Sequence, residues 1–292
     1  MKLRTFYRLF YKHRIKKASI LLKLYIIIIV PIKYLINIFY FEKKINLEVY
    51  KENFIELFDK DLNTLFEYFN SDKGEYFINQ YLLPAKKNKK KIKAHGYAKI
   101  YESVFSNIKD KNINILELGS FYGNAAAALF FYFKKAKIFS GDINPDMFKY
   151  KSNRIKNFYI DSSSRNSLIH NIINGKNNYD IIIEDASHML KDQIISLFIL
   201  FPLVNSGGYF IVEELDFPET RDDMKINQSK PDLKTILLNI ISNESFNSIY
   251  INDDEKKFFL ENYSSIEIKK GNFNEIALIK KKWIFIVLLT NL

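Results

Sequence analysis

Two apolar runs in this 292-residue chain end in acid. Tyr179-Asp-Ile-Ile-Ile-Glu-Asp-Ala-Ser-His188 carries Asp185 at its end and a histidine three residues on, and Phe210-Ile-Val-Glu-Glu-Leu215 carries Glu213 and Glu214. If both runs are strands and neighbours, their tips lie only about 5 Å apart. Three carboxylates that close repel one another unless a cation sits among them, and oxygen donors suit a hard divalent ion. Such an ion would acidify a bound hydroxyl and leave His188 to remove the proton as general base. The plainer alternative is that Asp185 caps the next helix and the glutamates meet surface Lys or Arg.

Upstream, Ile115-Leu-Glu-Leu-Gly-Ser-Phe-Tyr-Gly-Asn-Ala-Ala-Ala-Ala-Leu129 reads as a buried strand, a glycine turn and a helix. Gly119 and Gly123, with Ser120 between them, let backbone pass close to a ligand at the carboxyl end of a sheet. Glu117 stands beside the turn, placed to neutralise an amino or sulfonium charge. Asp142 ends the next apolar run, where a carboxylate can accept both hydroxyls of a ribose. Asp161, followed by Ser162, ends a third and could meet an adenine amino group. Any one of these carboxylates alone is as readily a helix cap; it is their placement at three successive strand ends that points to a nucleoside. The Gly-x-x-x-Gly spacing departs from Gly-x-Gly-x-x-Gly and disfavours a nicotinamide dinucleotide.

The elements that must hold these groups follow from residue 112 onward, where strand and helix patterns alternate. Strands are expected at 113–118, 137–142, 157–160, 180–185 and 208–213, with helices at about 124–134, 164–174 and 191–204. A further helix is expected at about 232–242. Two last strands, 265–269 and 275–281, are joined by Gly271-Asn-Phe-Asn274. That link is too short for a crossover, so this pair is antiparallel. Before the sheet, 47–69 suggests two helices, Ser71-Asp-Lys-Gly74 a turn, 86–93 a lysine-rich loop and 95–108 a helix. His170 falls on an apolar helical face, a structural position, and His13 is more suited to an interface.

With no cysteine, disulfides, thiolate metal sites and a thiol nucleophile are excluded. The net charge of +11 is uneven: residues 1–41 hold nine Lys and Arg and no acid, leaving 35 basic against 33 acidic side chains elsewhere. A nearly neutral body makes nucleic acid an unlikely substrate. Residues 18–41 are apolar, but Lys23 and Lys33 limit the uninterrupted run to Leu24–Ile32, short of the roughly 20 residues of a spanning helix. Basic flanks and outward lysines fit a segment lying on an anionic membrane surface. A helical pair packed on the body or on a second copy in a homo-oligomer, and a spanning helix kinked at Pro31, are the alternatives.

The whole pattern resembles class I S-adenosylmethionine-dependent methyltransferases. Residues 72–216 resemble in particular the metal-dependent sugar O-methyltransferases of the mycinamicin type. The matching residues are Asp72-Lys-Gly74, His95-Gly-Tyr97 with Tyr101, Leu116-Glu-Leu-Gly119, Gly141-Asp-Ile143, Asp185-Ala-Ser-His188, Ser206-Gly-Gly-Tyr209 and Glu213-Glu214. The resemblance implies a Rossmann-like α/β fold, a seven-stranded mostly parallel sheet with a terminal antiparallel hairpin, to which the residue pattern adds an N-terminal helical segment. The resemblance covers half the chain and excludes the first 45 residues and the tail from Trp283; with the sequence pattern it gives three expected regions, a membrane-interface or packing segment at 1–45, a helical cap and lid at 46–111, and the S-adenosylmethionine-binding domain at 112–292. Asp185, Glu213 and Glu214 would be Mg2+ ligands and His188 the base. Asp72, Gly74, His95 and Tyr101 would belong to the lid over the cofactor. Two positions depart from the family: Ala186 replaces a usual Gly, and Glu214 a usual Asp, which puts the strength of metal binding in question. The implied reaction is methylation of a sugar hydroxyl, for instance on a lipid-linked glycan precursor whose pyrophosphate the 86–93 loop could attract, the plainer reading of that loop being a solvated one. The place would be the cytoplasm, at the inner face of the membrane. A phenolic acceptor, and a membrane-docked scaffold without turnover, are the competing readings.

Overall fold

The protein is described by a computed structural model covering residues 1–12, 15, 18–38, 43–79 and 90–283. His13, residues 86–89 of the lysine loop and the tail beyond Trp283 lie outside the described residues. Seven strands form the main sheet: β1 Asn114–Leu118, β2 Lys137–Asp142, β3 Ile155–Tyr159, β4 Tyr179–Glu184, β5 Val204–Val212, β6 Tyr263–Lys270 and β7 Glu275–Lys281. Their order is β6-β7-β5-β4-β1-β2-β3. β3, β2, β1, β4 and β5 run parallel, while β7 is antiparallel to both β5 and β6. The expected mostly parallel sheet with a terminal hairpin is what forms.

Side chains alternate across each strand, so a sheet covered on both faces needs apolar residues at nearly every position. Ile115, Ile181, Ile183 and Ile211 enter one core, and Leu116, Leu118, Ile182, Phe210 and Val212 the other. The first core is closed by the helices Asn124–Tyr132, Leu62–Tyr68 and Ala98–Phe105. Leu62, Leu65, Tyr97, Tyr101 and Phe105 thus share one core with the sheet. The second core is closed chiefly by the helices Leu190–Leu200 and Leu233–Ile241.

The helix Asn124–Tyr132 is buried along its whole length and begins at the glycine turn. Its far end leaves carbonyls without intrahelical partners. The Arg154 guanidinium donates to Phe130 O at 2.8 Å, Phe133 O at 2.8 Å and Ala136 O at 3.1 Å, and lies 3.7 Å from the Phe130 ring centre. A cation there also complements the helix dipole. One helix went unforeseen: Asp253–Asn262 has charge on most faces, but a capping box between Asn252 and Glu255 starts it and Phe259 buries it. Replacing Arg154 by Met is expected to lower unfolding free energy by about 2–3 kcal/mol, read from urea denaturation; a loss below about 0.5 kcal/mol would show that the cap is not holding this helix.

Candidate active site

At the carboxyl ends of β1, β2, β4 and β5 lies a cavity of about 280 Å3. Its wall includes Asp72, His95, Glu117, Gly119, Ser120, Asp142, Asp185, His188, Glu213 and Glu214. A second cavity shares Gly119 and Asp142 with it and adds Asp161 and Ser162. Three of the expected residues do not line either. Tyr101 lies beneath the first cavity with its hydroxyl donating to Glu213. Gly74 packs against Phe66, Asn63 and Glu67, and Gly123 against Phe148.

The turn after β1 is tight. Gly119 adopts φ +88°, and a Cβ there would overlap the Asp185 carbonyl oxygen, so only glycine lets the tips of β1 and β4 approach this closely. Asp142 is fixed by backbone N–H donors, Phe121 to Oδ2 at 2.8 Å and Asn144 to Oδ1 at 2.6 Å. Each carboxylate oxygen accepts more than one bond, so capacity for hydroxyl donors remains. Glu117 is fully buried and its Oε2 has no hydrogen-bond partner. Burial, reinforced by the charges of Glu213, Asp72 and Asp142 against the opposing Lys73, pushes its carboxyl up to about 7. An orphaned buried carboxylate oxygen in a cavity wall fits a ligand that brings positive charge.

The acidic cluster holds a cation of its own. The Lys73 ammonium, 2% exposed, donates to Asp185 and to Glu213, the latter at 2.7 Å. Burial opposes its charge, but Asp185 and Glu213 together hold its pKa well above the usual lysine value. Glu214 faces the other way, 2.9 Å from His95 Nε2 and 3.0 Å from His188 Nε2. Burial would raise Glu214; the two imidazoles outweigh it and hold the carboxyl well below its usual range. Reciprocally, Glu214 overcomes the burial of His95 and lifts it to about 9. His188 is also raised, and its Nε2 lies 3.6 Å from Asp185.

Possible ligand atoms of Asp185, His188 and Glu214 lie within 4.8 Å of one another. A divalent cation therefore fits an arrangement of Asp185 and Glu214 with the histidine beside them, whereas Glu213, expected with them, is turned to Lys73 and Tyr101. Both His188 and Glu214 sit at positive φ, +55° and +48°, which non-glycine residues adopt at a cost of order 1–3 kcal/mol. Gln193 helps hold the β5 tip by donating Nε2 to Glu214 O at 3.2 Å.

Sequence reasoning left Lys73 without a role, although it lies inside the Asp72-Lys-Gly74 signal. It also missed Glu184, fully buried with both carboxylate oxygens unpartnered and raised by burial to about 7. Replacing Lys73 by Met is expected to lower unfolding free energy by about 3–5 kcal/mol, because two carboxylates stay buried without their counter-charge. The double variant Lys73→Met, Glu213→Gln is expected to regain part of that loss. Urea denaturation of both reads this out, and a single variant as stable as the parent would mean the ammonium is not the counter-charge.

No family model matches the chain. Over 128 residues, 41% of its length, it is 28% identical to the 8-demethyl-8-alpha-L-rhamnosyl tetracenomycin-C 2'-O-methyltransferase of Streptomyces olivaceus. It is 25% identical over 129 residues to the 3'-O-methyltransferase of the 2-methoxy-rhamnosyl compound from the same organism. The matches span about a third of these curated relatives, 33% and 32%. Among solved structures, the MycE methyltransferase of the mycinamycin biosynthetic pathway, in complex with Mg and SAH, superposes with a TM-score of 0.56 at 17% identity over 77% of this chain and 55% of that one. A MycE complex that also contains mycinamycin VI gives 0.55 at 16% identity over the same shares. By sheet order and by these likenesses, the chain has the class I S-adenosylmethionine-dependent methyltransferase fold and resembles sugar O-methyltransferases of that class.

Proposed function

We propose that the chain is an S-adenosylmethionine-dependent, metal-assisted O-methyltransferase whose acceptor is a sugar hydroxyl. The observation that carries this is the meeting of Asp185, His188 and Glu214 on the wall of the cavity that Glu117 and Asp142 also line. S-adenosylmethionine supplies an electrophilic methyl group, and a divalent cation at Asp185 and Glu214 makes the acceptor hydroxyl more acidic. Glu117, its Oε2 unpartnered, meets the donor's positive charge. Asp142, immobilised by two backbone amides, takes the ribose hydroxyls, and Asp161 with Ser162 lines the space for the base. His188 Nε2–H donates to Glu214 at 3.0 Å, so the proton of the acceptor goes to the other ring nitrogen, Nδ1, which has no partner, and Glu214 stabilises the imidazolium that results. Lys73 holds Asp185 in place from below. The glycoside-directed names of the relatives support a sugar acceptor over a phenol.

Calorimetric titration with S-adenosylmethionine, with and without Mg2+, tests each part. The wild type is expected to bind the donor, Asp142→Ala to bind about tenfold or more weakly, and Asp185→Ala to bind it but lose any response to Mg2+. No binding by the wild type would defeat the reading, and donor binding indifferent to Mg2+ in the presence of a rhamnoside would defeat the metal's part. Transfer of one methyl group to that rhamnoside, seen by mass spectrometry, checks the acceptor class.

A further inference from the structure

The N-terminal segment is built from the helices Leu3–Tyr7 and Ile20–Asn37 and the single π-helical turn Arg8–Lys12. On the long helix, Lys23, Ile26, Val30, Lys33 and Asn37 recur three and four residues apart and so form one stripe. Ile26 and Val30 are buried and pack with Phe6 and Ile15, and the Lys33 ammonium lies 5.6 Å from the Tyr11 ring centre. This is the side turned toward the rest of the segment. The opposite side carries Leu21, Leu24, Ile28, Ile32 and Leu35, all exposed, Leu21 at 76% and Ile28 at 69%. Both lysines of the helix are therefore absent from its outward face, which is apolar, with Tyr25 exposed at its edge.

We infer that this face docks on an anionic lipid bilayer, lying in its interface rather than crossing it. The nine cations and absent acids of residues 1–41 match a negatively charged surface, while two copies would bring like charges together. The apolar side supplies the burial that holds an interfacial helix, with lysine stems reaching back toward water. By length and composition alone Ile20–Asn37 could also cross a membrane; lying in the interface is favoured because Lys23 and Lys33 share the side that packs on the rest of the segment, opposite the exposed apolar side.

The segment is also fixed to the catalytic body. The Lys2 backbone N–H donates to Asp146 Oδ2 at 2.6 Å and the Thr5 hydroxyl to Asp146 Oδ1 at 2.8 Å. Asp146 follows Asp142 in the loop after β2, and Leu9 forms part of the wall of the cavity beside Asp142. The element that meets lipid is thus also part of the proposed donor site, so an acceptor carried on a lipid would be presented at the cavity.

Co-sedimentation of the full chain with phosphatidylcholine vesicles, with and without phosphatidylglycerol, tests this without any donor present, so its outcome is separate from that of the methyl-transfer reading. Binding is expected to need the anionic lipid and to fall about tenfold or more in Ile28→Glu, Leu35→Glu, two exposed positions that leave the melting temperature unchanged. Arg4→Glu, Lys12→Glu is expected to weaken it as added salt does. The inference is overturned if the wild type does not sediment with the vesicles, or if Ile28→Glu, Leu35→Glu binds as tightly as the wild type. It is also overturned if that variant only dissolves a self-associated form seen in sedimentation velocity, or if vesicle-bound protein withstands alkaline carbonate as a spanning protein does.

Discussion

Carboxylates gathered where water is scarce are the constraint around which this molecule is organised. Glu117, Asp185, Glu213 and Glu214 come from three strand tips, and all but Asp185 are nearly fully buried. Each costs several kcal/mol to dehydrate as an ion unless a positive partner is within hydrogen-bonding reach. Lys73, His95 and His188 are those partners for Asp185, Glu213 and Glu214, while Glu117 Oε2 keeps none, and two of the three cations arrive from the segment preceding the sheet. The two ends of that segment are tied to each other by Tyr97 N to Lys73 O at 2.9 Å and His95 N to Asp72 O at 2.8 Å, and to the body by Asn272 N to His95 O at 2.7 Å. The segment before the sheet thus supplies counter-charge to the acidic strand tips.

The cluster is divided. Glu213 is committed to Lys73 and Tyr101 below, and Glu214 to the two histidines above, although the two are adjacent in sequence. In an extended strand neighbouring side chains already point to opposite faces, yet both of these must stay near one cavity. The left-handed backbone at Glu214, φ +48°, resolves this by turning the chain immediately after β5, and His188 is turned in the same way after β4. The turned backbone at these two residues accompanies the approach of His188 and Glu214 to 3.0 Å.

Much of this was legible from residue types. The parallel strands are nearly continuous apolar runs, and the Gly271–Asn274 link permits only a hairpin, so the sheet could be written down in order. The strand tips were legible for the same reason, since Asp142, Asp185 and Glu213 each end such a run. What was hidden depended on distance in sequence. Lys73 is 112 residues from Asp185 and 140 from Glu213, and nothing local in Asp72-Lys-Gly74 says that its side chain enters the sheet's acidic end. The same holds for the division between Glu213 and Glu214, which is set by partners and not by spacing. The helix Asp253–Asn262 escaped because its surface is charged and its one fully buried anchor, Phe259, makes no periodic pattern, although its capping box was visible.

The chain's positive charge therefore serves two separate needs. Inside, a lysine and two histidines are spent on the carboxylates, which is how a body close to neutral overall can contain so acidic a cavity. Outside, the excess is confined to the first 41 residues, where no acid competes with it. The two regions meet at one short loop: Asp142 is held by Phe121 and Asn144, and four residues later Asp146 binds Lys2 and Thr5. The segment proposed to meet lipid and the carboxylate proposed for the donor's ribose are thus held by the same short loop, four residues apart.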